Sequence, residues 1–329
     1  MPLATIPLPT EAELRSAAEL LAPILGPSDL LPFLGGADED FGPWVDSDRP
    51  LLLKPELHHP GGSFKIRGVY HAVARRGDRA AGLETVSAGN TAQALAWCGR
   101  HFGVEARSVM PDTAPRTKIE AVEALGGIPV LVPREEVFRF LRERLWEGDP
   151  YAFIHPWIDR EVWVGHGTLG LELCEGLERL DSVFVPVGGG GLLVGVASAL
   201  RALRPEVRIV AVEPEGCPSL YRAREAGRPV EITSSTICDG VAVPYVTEEV
   251  FALQDELVDE VVLVSEAEVR RAIRDLALRH HLVVEGAGAL ACAAARGIAP
   301  ERRGTSVAIV TGGSIDATLL ASILTEAET

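Results

Sequence analysis

The chain has 31 basic residues, and only three of them, Lys54, Lys65 and Lys118, are lysines. Arginine serves here wherever a positive charge is enough, so a retained lysine points to a need for an amine. An amine can lose its proton when buried and then act as a nucleophile or base, whereas a guanidinium cannot. Lys65 has the most suggestive setting. In "HPGGSFKIRG", residues 59–68, it follows a glycine pair and sits between Phe64 and Ile66. Lys54 ends a strand-like run before Pro55 and is the second choice. Lys118, in "APRTKIEAVEAL", has the spacing of an ordinary amphipathic helix.

The second chemical centre is "SVFVPVGGGGLLVGVASAL", residues 182–200. A β-branched strand runs into Gly188, Gly189, Gly190 and Gly191 and then directly into an apolar helix. Backbone N–H groups and a helix N-terminus converge where side chains are absent, which makes an anion site suited to phosphate. A tight turn alone needs fewer glycines. A P-loop would need a lysine beside the glycines, and none follows Lys118. The dinucleotide spacing G-x-G-x-x-G fails at Leu193 and Val194, although Glu213, about 20 residues on, stands where the ribose-binding acid would. A nicotinamide oxidoreductase therefore stays open as an alternative from a different class. Pyridoxal phosphate needs both features found here, a lysine for its aldehyde and a glycine-rich loop for its phosphate.

The elements that must position these groups alternate along the chain: short β-branched runs, then longer amphipathic or Ala-rich stretches. That alternation predicts an α/β fold with mostly parallel sheets flanked by helices. An opening helix is predicted near 10–25, a strand at "RPLLLK", and a helix over "SFKIRGVYHAVARR" capped by Ser63. Three compact strand-helix units follow, with helices at 91–102, 115–125 and 135–146. They predict a small three-strand domain over 81–160, with residues 1–80 and 161–329 forming a large domain across a cleft.

Seven segments occur in an order that resembles the fold-type II pyridoxal-phosphate enzymes, the tryptophan synthase β-like architecture, and in particular the serine/threonine dehydratase and serine racemase branch. They are "GGSFKIRG", "SAGNTAQALA", "GHGTLGLEL", "PVGGGGLLVG", "DGVAV", "VVEGAGALA" and "VTGGSID", spread over roughly residues 50–316. The resemblance implies that Lys65 forms the Schiff base with the cofactor and serves as the Cα base. It implies that Asn90 meets the cofactor's 3′-oxygen, that Gly188–Gly191 hold the phosphate, and that Thr311 faces the pyridine nitrogen. Ser87, Ala88, Gly89, Asn90 and Thr91 would bind the substrate carboxylate. Glu285 either approaches the cofactor ring or complements a helix dipole.

A neutral hydroxyl at Thr311 weakens the cofactor as an electron sink, which suits α,β-elimination of a β-hydroxy α-amino acid such as serine or threonine to a 2-oxo acid and ammonia. Ala88 stands where racemases carry a serine that works on the second face, which disfavours racemisation. An amino-acid racemase or a β-replacement synthase remains the alternative within the fold. Lys65 must have its pKa lowered from about 10.4 to act as a base near neutral pH. His58 and His59 would reach the substrate pocket or form a surface pair, and His155 and His166 would pack at the domain hinge. Glu213 opens a segment that carries a divalent cation in the family, but Ser219 replaces the second carboxylate, so no metal is predicted.

The net charge of −16 excludes nucleic acid and anionic membrane surfaces as partners, leaving a small-molecule amino-acid substrate. The apolar run at 183–200 is broken by Pro186 and the glycines, which rules out a membrane span. Five scattered cysteines without a C-x-x-C pair fit a reduced, cytoplasmic setting, and a homodimer is expected.

Overall fold

A computed structural model describes residues 6–33, 48–77 and 81–326. Among the described residues, ten strands form two sheets. The strands are β1 Leu31–Pro32, β2 Leu51–Pro55, β3 Leu83–Val86, β4 Ala106–Pro111, β5 Ile128–Val132, β6 Ala152–Phe153, β7 Ser182–Pro186, β8 Arg208–Pro214, β9 Glu260–Val264 and β10 Ser306–Val310. The larger sheet has the order β1-β2-β10-β7-β8-β9 and the smaller one β5-β4-β3-β6. All neighbours in the larger sheet are parallel except β1, which runs antiparallel to β2 on the edge. The predicted three-strand unit has a fourth strand, β6, too short at two residues to leave a signature in the sequence.

The central strands explain the continuous apolar runs. Every residue of β7 and β10 is buried, because helices cover both faces of the sheet. Alternate residues divide between two cores. Val183, Val185, Val307 and Ile309 pack with Leu193, Val196 and Leu200 on one side, while Phe184, Ala308 and Val310 pack with Ile273, Leu290 and Ala291 on the other.

The helix that begins with Lys65, Lys65–Arg75, lies against the long helix Arg160–Gly176 at a crossing of small residues. A Cβ on Gly165 would come within 2.3 Å of the Arg67 carbonyl oxygen, and one on Gly68 within 2.7 Å of that of Val162. The two backbones thus meet directly, and this fixes the distance of the Lys65 helix from its neighbour. Ser63 does not cap that helix. The N-cap is Phe64, without a side-chain bond, and the Ser63 hydroxyl is buried with no partner.

Two residues beyond Lys65, Arg67 points away from the cleft into a buried ion network. Its guanidinium grips Glu56 at 2.6 and 3.0 Å and reaches Glu172 at 2.6 Å and the Thr168 hydroxyl at 3.1 Å. Lys54 binds the same Glu172 at 2.6 Å and donates to the Ser28 carbonyl. His59 closes on Glu56 at 3.3 Å, so it belongs to this network and neither to a surface pair nor to a substrate pocket. Burial would raise the Glu56 pKa, but Arg67 and His59 hold the carboxyl well below the usual carboxylate range. Arg67→Ala would strand a buried carboxylate and should cost about 3–5 kcal/mol, read as a lower urea midpoint; an unchanged midpoint contradicts this account.

Candidate active site

Strands β2, β10 and β7 are adjacent and parallel, so the chain leaves all three at the same edge of the sheet. In open parallel sheets this carboxyl edge is where ligands bind. The segment leading to Lys65 follows β2, Thr311 follows β10, and the four glycines follow β7. Backbone bonds weld the first two: Phe64 N–H donates to the Thr311 carbonyl at 3.0 Å and Gly313 N–H to that of Gly62 at 3.0 Å. Glu285 N–H donates to the Gly312 carbonyl at 3.1 Å, bringing in the N-terminus of the helix Gly286–Arg296.

The smaller sheet supplies the facing wall. β3 ends at Val86, and Ser87, Ala88 and Gly89, all partly buried, lead into the helix Asn90–Phe102, with Thr91 buried in its first turn. Asn90 Nδ2 donates to Glu285 Oε1 at 2.6 Å across the cleft. Gly312 lies at this junction: a Cβ there would fall 2.7 Å from Glu285 Oε1, 3.1 Å from Ser63 Cβ and 3.2 Å from Asn90 Nδ2. Four distant segments therefore converge on one point. The turn Asp239–Val241 extends the wall towards the glycines, with Gly240 beside Glu285 and Val241 against Gly188.

Lys65 Nζ stands 5.0 Å from the centre of the Phe64 ring. Behind that ring lies His166, fully buried, 4.8 Å away and without a hydrogen-bond partner on either nitrogen. Burial, with the charges of Lys65 and Arg67, holds His166 well below its ordinary pKa, so it is a neutral aromatic floor. Burial lowers the Lys65 pKa from 10.5 to about 8, against the attraction of Glu285. Burial also raises the Glu285 carboxyl, opposed by Asn90, Lys118 and Lys65. The amine is thus held close to its neutral, nucleophilic form. Lys54, bound between Glu172 and Ser28, is not available for this role.

The glycine loop is walled on every side. A Cβ on Gly188 would lie 2.8 Å from Val241 Cα, one on Gly189 2.4 Å from the Trp157 ring, and one on Gly190 1.4 Å from Gln254 Nε2. Gly190, the N-cap of the helix Gly191–Leu203, has a left-handed φ of 91°. Only glycine satisfies both the torsion and the space. An amine, a side-chain-free anion loop at a helix N-terminus, and the unpartnered buried Asn90 Oδ1 and Ser63 Oγ together fit a phosphate-bearing aldehyde cofactor.

One expectation about another residue changes. Lys118 is not on a bland helix face. From the helix Arg116–Ala124 it reaches across the cleft to pair with Asp239, and with Gln93, Glu285, Ser314 and Asp316 it lines a cavity of about 270 Å³. Its helical spacing hid this, since the partner lies 121 residues away; the scarcity of lysine was the one available signal. Glu213 is spent locally, accepting from the Ser219 hydroxyl and from the N–H groups of Leu220 and Tyr221. Burial nonetheless raises its pKa to about 7. Among the described residues, no group of three or more acidic, histidine or cysteine side chains is placed to hold a metal ion. His155 accepts the N–H groups of Trp157 and Ile158 and is held neutral by burial, with a pKa of about 3, as part of the packing between β6 and the next helix.

The Lys65 pKa yields a direct expectation. The neutral amine attacks an aldehyde, so recombination of the apoprotein with pyridoxal phosphate should accelerate with a midpoint near pH 8 and level off above it. A rate still rising tenfold per unit beyond pH 9 would contradict a lowered pKa.

Comparison with known proteins agrees with this geometry. The family model described as pyridoxal-phosphate dependent enzyme matches residues 43–312. An L-threonine ammonia-lyase of Thermotoga maritima is 38% identical over 83% of this chain and 69% of its own. The catabolic L-threonine dehydratase of Staphylococcus aureus is 34% identical, over 83% of this chain and 82% of its own. Among solved structures, the threonine deaminase from T.th. superposes with a TM-score of 0.82 at 35% identity, covering 94% of this chain and 99% of that one. Maize serine racemase superposes with a TM-score of 0.83 at 29% identity, covering 94% and 95%. With its Lys65 amine and glycine cradle at one edge of a parallel sheet, the chain belongs to the family of pyridoxal-phosphate-dependent enzymes.

Proposed function

We propose that the protein is an ammonia-lyase that removes the β-hydroxyl and α-amino groups of L-threonine or L-serine, releasing the 2-oxo acid and ammonia. One observation carries this reading: burial holds the Lys65 amine near neutrality, while the loop on the facing wall has an alanine at position 88, packed against Ala92, Ala96, Met110 and Val122. The site so offers one base for the Cα proton and, at position 88, no hydroxyl to serve the opposite face. The threonine ammonia-lyase and dehydratase names of the relatives point the same way.

Pyridoxal phosphate, when bound, supplies the electron sink that acidifies the substrate Cα. The protein's own groups do the rest. Lys65 anchors the cofactor and takes the Cα proton. The Ser87–Thr91 segment, with its N–H groups at a helix N-terminus, holds the substrate carboxylate. Asn90 would meet the 3′-oxygen, and Gly188–Gly191 would hold the phosphate. Thr311 would meet the ring nitrogen with a neutral hydroxyl, and Glu285 keeps Asn90 in place. Residues 81–160 form the small domain that closes over the substrate, and residues 1–80 with 161–329 form the cofactor-binding domain.

The five described cysteines are all free and buried, in keeping with a cytoplasmic enzyme. No helix among the described residues is long and apolar enough to cross a membrane. We place the enzyme in a homodimer, for which Leu278 and Val283, 54% and 47% exposed, offer apolar surface.

Incubation with L-threonine and L-serine should release 2-oxobutanoate and pyruvate with stoichiometric ammonia. Lys65→Ala should lower kcat by roughly 10³-fold or more. Accumulation of the D-amino acid without oxo acid would replace this reading with a racemase.

A further inference from the structure

The backbone cradle at Gly188–Gly191 has a side-chain neighbour with a hydrogen-bond donor of its own. Trp157 lies in the connection between β6 and the helix Arg160–Gly176, and its ring covers the glycine loop. A Cβ on Gly189 would fall 2.4 Å from both Cγ and Cδ2 of the indole, and one on Gly191 would fall 3.0 Å from the Trp157 Cα. Its backbone is held at both ends: its N–H donates to His155 Nδ1 at 3.3 Å, and its carbonyl accepts from Trp163 Nε1 at 2.6 Å. The Tyr245 ring stands edge-on to it, 6.4 Å away.

The ring is therefore fixed in place, yet its Nε1–H is buried and has no partner. Buried indole N–H groups ordinarily find an acceptor, and one left unpaired is unfavourable. An indole can only donate. The missing partner is thus an acceptor, and the anion loop against which the ring is packed is built to hold one. We infer that Trp157 is a side-chain member of the phosphate cradle, its Nε1–H donating to a phosphate oxygen of the cofactor alongside the glycine N–H groups. Trp157→Phe keeps an aromatic ring beside Gly189 and removes the donor together with part of the indole, a loss of volume that the comparison with pyridoxal controls for.

The test compares apoprotein binding of pyridoxal phosphate with binding of pyridoxal, which has the same aldehyde and no phosphate. Trp157→Phe should weaken pyridoxal phosphate roughly ten- to a hundredfold, the range of a hydrogen bond to a charged group, and leave pyridoxal within about twofold of wild type. An unchanged ratio of the two affinities overturns the inference. A second measurement does not depend on the variant folding. In wild-type apoprotein labelled with ¹⁵N at its five tryptophans, saturating inorganic phosphate should move one indole N–H resonance downfield, and no movement of any overturns the inference. Neither readout involves turnover, so a protein that passes both but leaves threonine intact would contradict only the proposed reaction.

Discussion

The site depends on holding one amine in a buried position with its proton loosely bound. Burial alone would accomplish this at the expense of stability, since an ammonium without water or a close partner is unfavourable. The chain separates the two requirements along a single helix. Lys65 faces the cleft over Phe64 and the neutral His166, where the attraction of Glu285 only partly offsets desolvation. Two residues on, Arg67 carries a fully paired charge into the interior, clamped by Glu56 and Glu172. The ion network fixes the helix, and the glycine crossing at Gly165 and Gly68 fixes its distance from the neighbouring helix. The amine inherits a defined position without itself being paired.

Around that amine the cofactor groups come from chain segments that are far apart in sequence and adjacent in the sheet. The order β2-β10-β7 sets Lys65, Thr311 and the glycines side by side. Two polar contacts then join this edge to the smaller sheet: Asn90 with Glu285 at the floor of the cleft and Lys118 with Asp239 beside the cavity. The helix that begins with Lys65 also shares a hydrophobic core with the smaller sheet, Ile66, Val69 and Ala72 packing with Leu83, Leu95 and Ala106.

Much of this was legible in the sequence because its signals are local. Lysine scarcity and the glycine-serine context singled out Lys65, four consecutive glycines marked the cradle, and β-branched runs marked the central strands. The misses share a physical cause, which is that they depend on contacts between distant segments. The destinations of Lys118 and of His59 are set by partners brought near only by the fold, and the two-residue β6 is defined by pairing with β3 rather than by its composition. Ser63 looked like a helix cap by residue type, but its backbone bridges to Gly312 and its hydroxyl is buried without a partner. Trp157 gave no signal at all, because an unpaired indole N–H is visible only once its surroundings are known.

The most direct measurement of the central claim is reductive trapping. The holoenzyme would be treated with borohydride and digested, and the pyridoxyl-modified peptide identified by mass spectrometry. The modification should fall on Lys65 alone, in the peptide ending "GGSFK" or spanning it. Modification of Lys54 or Lys118, or a protein that retains no pyridoxyl group after reduction, would contradict it.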